Sequence, residues 1–192
     1  MDVKEAIQKR RAYRALGPVE ITDEIVAALA TAAQMTASCF NNQPSRFVFA
    51  RSPEALAKVR EGLARGNEWA CHASLIIAAF AHRENDCIIK EREYYLFDLG
   101  MAVSSIQLRA TELGLVAHPI AGFNPEKIRQ ALRIPEGNMI LTLINVGKKS
   151  DDLSALNENQ IEIEAVRPRR RPLENIYSVD SYDEKLGLKN EP

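Results

Sequence analysis

Residues Lys90 to Leu113 read KEREYYLFDLGMAVSSIQLRATEL, the longest helical pattern in the chain. Gly114 follows as a left-handed C-terminal cap. Tyr94, Leu96, Phe97, Met101, Val103, Ile106, Leu108 and Leu113 are spread around much of the circumference. A helix apolar over most of its surface must be covered on several sides. Its place is therefore central, or in a subunit interface.

The neighbouring segments supply what such a helix could pack against. Ser74 to Ala81 is a continuous apolar run bounded by polar residues, which predicts a strand covered on both faces, and Met139 to Val146 predicts a second buried strand. The aromatic and branched residues of Arg46 to Arg51 predict a third. Asp2, Thr22, Ser52 and Asn124 each stand where a side-chain oxygen can cap a helix, the last two with proline at the first helical position. Between these elements, Thr36 to Pro44 is a polar loop without periodicity, and His118 to Phe123 reads as a tight irregular segment. Beyond Gly147 the chain turns polar and charged, so residues 148 to 192 must lie on another surface or stay disordered.

The 192 residues carry 46% hydrophobic and 27% charged side chains, an ordinary globular composition that fits one domain. A formal net charge of −1 leaves no positive excess for a dedicated nucleic-acid binder. The longest apolar run is too short to span a bilayer, so the expectation is a cytoplasmic protein with no membrane partner. Cys39, Cys71 and Cys87 form no CxxC pair, and His72, His82 and His118 show no ligand spacing with them. Reduced thiols, no disulfide framework and no metal are therefore expected.

Against this neutral background two basic clusters stand out, Arg10-Arg11-Ala12-Tyr13-Arg14 and Arg167-Pro168-Arg169-Arg170-Arg171-Pro172. Guanidinium forks suit phosphate oxygens, and two clusters far apart in sequence could converge on one small anion. Gly147-Lys148 is not the end of a phosphate loop, because Thr142 stands where its first glycine belongs.

Taken in order, Lys9 to Arg14, Ala37-Ser38 with Asn41 and Gln43-Pro44, Gly66-Asn67, Asp98-Leu99-Gly100, Glu112 to Leu115, Pro119 to Phe123 and Arg169 to Pro172 form a series. Over roughly residues 2 to 175 this series resembles the nitroreductase superfamily of FMN-dependent oxidoreductases. The resemblance implies an α+β, three-layer fold with a mixed central sheet flanked by helices, in an obligate homodimer with FMN at the interface. It implies a single FMN-binding domain over 1–175, an extension over about 148–175 packing on the partner subunit, and a polar tail over 176–192.

Carried over residue by residue, the resemblance gives Arg10, Arg11, Ala12 and Arg14 to the flavin phosphate, ribityl chain and pyrimidine edge. Arg169 and Arg171 would close on the phosphate. Asn67 would bond the pyrimidine edge. Ala37, Ser38, Asn41 and Gln43 would come from the other subunit, and the backbone of Ile120, Ala121 and Gly122 would approach the ring. No side chain is assigned a catalytic role, since the flavin carries the chemistry. NADH or NADPH would supply hydride, and an electron-poor acceptor such as a nitroaromatic or quinone would receive it. The alternative is a module that stores, senses or delivers FMN without efficient turnover. Three positions depart from the family pattern: Ala12 stands where serine is common, Ala37 where proline is, and Ser45 where tryptophan often follows Gln-Pro. The lost hydroxyl at residue 12 costs about 1 kcal/mol, too little to abolish binding.

Overall fold

A computed structural model describes residues 1 to 186; of the expected polar tail, residues 187 to 192 lie outside the described part. The chain runs α1 (Val3–Lys9), β1 (Leu16–Gly17), α2 (Asp23–Gln34), β2 (Arg46–Ala50), α3 (Pro53–Arg60) and β3 (Leu75–His82). It continues through β4 (Ile88–Ile89), β5 (Arg92–Glu93), α4 (Tyr94–Glu112), β6 (Val116–Ile120), α5 (Pro125–Leu132), β7 (Asn138–Lys149) and α6 (Glu158–Ala165).

The expected caps are the ones that start the helices. Asp2 accepts from Glu5 N, Thr22 from Ile25 N, Ser52 from Ala55 N and Asn124 from Lys127 N. Each satisfies a backbone donor that the first turn would otherwise leave unpaired.

The main sheet is built on β7, which pairs with β3 along most of its length, with β6 over Leu143 to Gly147 and with β1 at its end. β2 lies on the far side of β3. The α+β fold is the one expected, but every pairing among the described residues is antiparallel, where a mixed sheet was anticipated.

β3 shows how the three layers arise. Its side chains alternate, Ile76, Ala78 and Phe80 entering a core with Leu56 and Val59 of α3 and Ile128 of α5. Leu75, Ile77, Ala79 and Ala81 enter a second core with Leu29 of α2 and Leu99, Ala102 and Ile106 of α4. A strand buried on both faces needs no polar alternation, which is why it reads as one apolar run. α4 buries Tyr95, Leu99, Ala102, Val103, Ile106 and Ala110, while Phe97 on its other side is 59% exposed.

Two further sequence expectations are corrected. The segment at His118 is a strand, not irregular: Val116 to Ile120 forms β6, and Pro119 is tolerated because β6 pairs on one side only, with β7. The thiols are not all free, since Cys39 and Cys87 form a disulfide across 48 residues and only Cys71 remains a thiol. Spacing along the chain carried no sign of this, because the two cysteines meet only when the loop after α2 folds against the segment after β3.

Candidate functional site

The chain segment after α1 folds back against residues 158 to 170. The carboxylate of Glu164, buried in α6, accepts from Arg14 N at 3.0 Å and from Ala15 N at 3.0 Å. In return Arg11 donates to Ile163 O at 2.6 Å and Glu164 O at 2.8 Å, carbonyls at the C-terminal end of α6 where a cation is favoured. Arg167 repeats this at the end of α1, donating to Gln8 O at 2.6 Å and Arg10 O at 2.9 Å.

Between these reciprocal bonds lies a cavity of about 260 Å³, lined by Arg10, Arg11, Ala12, Arg14, His118, Ile163, Arg167, Pro168 and Arg170. Arg10 is half-buried, and burial together with the neighbouring charges of Arg167 and Arg170 pushes its pKa down. Arg10, Arg14 and Arg170 have no carboxylate partner within 4 Å among the described residues. Guanidiniums gathered without a counter-charge are the arrangement an anionic group relieves.

His118 of β6 faces the same cavity, and no sequence signal marked it. Its Nδ1 lies 2.9 Å from Tyr13 O, and its ring stacks on the buried Trp69 at 4.6 Å. Burial pushes its pKa down to about 4, with Arg14 and Arg10 adding in the same direction against Tyr13 O and Glu164. The ring is therefore neutral at pH 7.

Of the two tail arginines expected to meet a phosphate, Arg169 and Arg171, neither lines this cavity; both are exposed, and Arg167 and Arg170 take the positions beside it. Arg167 and Arg170 are three apart, so strand-like alternation does not explain which arginines face the cavity; the anchoring of Arg167 on Gln8 O and Arg10 O sets how the segment lies.

Asn67 and Gly122 meet near α6, whose Gln160 Nε2 donates to the adjacent Gly66 O at 2.9 Å. Asn67 Nδ2 donates to Gly122 O at 3.0 Å, and Ala64 N donates to the same oxygen at 3.0 Å. A Cβ on Gly122 would collide with Asn67 Nδ2 and push that amide off Gly122 O, so the small residue keeps the pair in place. Ile120 is buried with its carbonyl accepting from Thr142 Oγ1 at 2.8 Å, and Ala121 is exposed.

The loop after α2 builds a second cavity, of about 240 Å³, to which Ala37, Ser38, Gln43, Pro44 and Ser45 contribute, floored by Ala30 and Ala33 of α2 and by Asp98 and Ala102 of α4. Asn41, predicted to belong here, does not line it, and Phe40 beside it is 84% exposed. Phe40, Asn41 and Gln43 all have left-handed backbone, with φ of 49°, 58° and 51°. Such conformations cost free energy outside glycine and persist only where the surroundings impose them. Three restraints do so: the Cys39–Cys87 disulfide, Cys39 N donating to Asp98 Oδ2 at 2.7 Å, and Gln43 N donating to Ser38 Oγ at 2.9 Å.

Asp98 itself is 2% exposed. Burial raises its pKa, and the nearby Asp86 adds to this against the Cys39 N–H. A lone Asp on the apolar face of a long helix was the sequence signal for it.

The two cavities share no lining residue, so one chain does not bring the arginine cluster and the Ala37 to Gln43 loop into one pocket. The chain is thus an α+β fold with an antiparallel sheet between helix layers, carrying a guanidinium cavity and a separate loop cavity. A family model for the nitroreductase family matches residues 7–148, and the chain belongs to that family.

A protein of Archaeoglobus fulgidus, provisionally named NADH dehydrogenase/NAD(P)H nitroreductase, is 28% identical over 152 residues, 76% of this chain and 84% of that one. A crystal structure described as an oxidoreductase containing FMN matches with a TM-score of 0.82 and 28% identity, covering 95% of this chain and 94% of its own. At 20% identity, a structure from Exiguobacterium sibiricum of a provisionally named nitroreductase in complex with FMN shares the fold, with a TM-score of 0.77 over 93% of this chain and 97% of its own. No helix among the described residues is long and apolar enough to cross a membrane.

Proposed function

We propose that this protein is an FMN-dependent oxidoreductase that works as a homodimer, taking hydride from NADH or NADPH and passing it to an electron-poor acceptor such as a nitroaromatic or quinone. The observation that carries the reading is the separation of two half-sites on one chain. A cavity of unpaired guanidiniums and a cavity of mostly small and amide residues, which Arg46, Phe47 and Asp98 also line, share no residue within the subunit. A ligand with an anionic end and a flat uncharged end fits both only if a second copy brings its loop to the first copy's arginines.

The exposed apolar residues support that assembly. Val3 and Ile7 on α1, Phe97 on α4, and Ile163, Val166, Leu173 and Ile176 beyond β7 are 44% to 72% exposed, more than one helix layer needs to leave uncovered. Residues 158 to 170 are docked on their own subunit through Arg11, Glu164 and Arg167, so of the segment over about 148–175 it is the end that reaches across in the dimer, with the exposed Arg169 and Arg171 closing on the phosphate beside Arg10 and Arg14.

When bound, FMN supplies a ring nitrogen that accepts and returns hydride. The protein's residues bind and tune it. The arginines neutralise the phosphate. Asn67, already oriented by Gly122 O, presents its remaining amide atoms to the pyrimidine edge. The backbone of Ile120 to Gly122 comes close to the ring because residue 122 carries no Cβ. Ala37, Ser38, Asn41 and Gln43 shape the opposite wall.

The test is reconstitution of the purified protein with FMN, followed anaerobically in the flavin spectrum with each nicotinamide and then with a panel of acceptors. A yellow protein bleached by NADH or NADPH and reoxidised by a quinone or nitroaromatic is expected. Protein that cannot be loaded with FMN sinks the reading, and FMN that binds but is reduced by neither nicotinamide at a useful rate replaces it with flavin storage. Arg10→Ala should weaken FMN at least tenfold, since a charge-assisted hydrogen bond is worth roughly 1.5–3 kcal/mol.

A further inference from the structure

The guanidinium cavity contains one side chain of a different kind. Arg10, Arg11, Arg14, Arg167 and Arg170 can only donate hydrogen bonds, and Ala12, Ile163 and Pro168 offer no polar side-chain atom. His118 alone among the lining side chains can accept.

Its geometry decides which nitrogen accepts. Tyr13 O is a carbonyl, so Nδ1, 2.9 Å away, must carry the proton. In the neutral ring Nε2 then holds a bare lone pair. Nε2 has no protein partner among the described residues and is not sealed in the core, and the ring belongs to the cavity wall. The ring cannot turn to another role, because Trp69 lies against its face at 4.6 Å and Asn145 Nδ2, fully buried, fixes the backbone by donating to His118 O at 3.3 Å.

A lone pair among five cations is mismatched to a phosphate dianion, whose oxygens also only accept. It is matched to a hydroxyl. We propose that His118 Nε2 accepts a hydrogen bond from a hydroxyl of the same molecule whose anionic group the arginines hold, so that the cavity selects a phosphorylated polyol over bare phosphate. This rests on the flavin reading and deepens it, since the ribityl phosphate of FMN is such a polyol.

His118→Asn and His118→Gln separate the two nitrogens. The asparagine amide can still donate to Tyr13 O but has nothing at the Nε2 position, whereas the glutamine oxygen reaches that position and can accept. Ribitol 5-phosphate, inorganic phosphate and FMN are titrated calorimetrically into the full-length wild type and both variants. The wild type should bind ribitol phosphate more tightly than phosphate. His118→Asn should lose about three- to tenfold for ribitol phosphate and FMN, the worth of one hydrogen bond, with phosphate affinity unchanged. His118→Gln should restore most of the preference.

A merely structural role would lower affinity for all three ligands together, and that result, or an unchanged preference in His118→Asn, overturns the proposal. So does a wild type that does not distinguish ribitol phosphate from phosphate. If the wild type shows the preference but binds no FMN, the flavin reading fails and the assignment of His118 stands. If FMN binds equally to wild type and His118→Asn, the flavin reading stands and the assignment fails.

Discussion

The segment around Arg11 and the loop around Phe40 both carry residues of the candidate site, yet they are held in opposite ways. At Arg11 the main side-chain restraints are hydrogen bonds between a charged side chain and backbone: Glu164 to Arg14 N and Ala15 N, Arg11 to two carbonyls of α6, Arg167 to two carbonyls of α1. At Phe40 the backbone is in left-handed conformations, pinned by one covalent link and one buried carboxylate. The first region spends its charges on positioning, so that Arg10, Arg14 and Arg170 are left for a ligand. The second stores conformational free energy, so that the shape of its cavity depends on its anchor.

Breaking the anchors should separate the two regions. Cys39→Ser, or reduction by a dithiol, opens a loop closed across 48 residues, and loop-closure entropy alone puts the loss near 4 kcal/mol. Denaturant unfolding with and without reductant measures this, and protease sensitivity should rise at residues 38–43 while the arginine segment stays protected. Equal protease sensitivity in both regions would mean that the disulfide does not act locally.

Glu164→Ala leaves one buried and one partly buried backbone N–H, those of Ala15 and Arg14, without their acceptor and should cost about 3 kcal/mol. The same variant should weaken anion binding and leave the protease pattern of the 38–43 loop unchanged, the reverse of the cysteine result.

His118 adds a pH dependence to the arginine side. Its native pKa of about 4 lies below the usual 6.5, so the unfolded chain binds a proton more readily than the folded one. The stability it contributes is complete above pH 6.5 and is lost as pH falls through that value toward 4, by about 2 kcal/mol at pH 5. Thermal unfolding across this range should flatten in His118→Gln.

Asp98 should give the smallest effect and the opposite sign. Its pKa is raised, so the native state favours the proton, and its contribution is lost as pH rises through the carboxylate range. Asp98→Asn keeps an acceptor for Cys39 N and should stabilise the protein at pH 7, and by less at pH 4. A gain that is the same at both pH values would remove the buried charge as its cause.

The elements that were legible are those whose signals are local. Asp2, Thr22, Ser52 and Asn124 cap helices through contacts three residues away, and β3 shows its burial on both faces in its own composition. α6 was not legible, because its one buried side chain is a glutamate whose partners lie 149 and 150 residues earlier. The same holds for the disulfide and for β6, where a proline in a one-sided strand hides the pattern. Within the candidate site, the arginine cluster of residues 10 to 14 was visible as charge. Which tail arginines lie beside it depends on a docking that the alternation of residues 167 to 171 alone does not specify.

The bonds between Arg11, Glu164 and Arg167 also set an order of events during folding. The sheet of β2, β3, β6 and β7 draws on residues 46 to 149, whereas the guanidinium cavity needs residues 10 to 14 to meet residues 163 to 170. Closing a loop of that length is slow and comes after shorter contacts have formed. On the ribosome the sheet can assemble while α6 is still unmade, so the guanidinium cavity can close only once residues 163 to 170 have emerged.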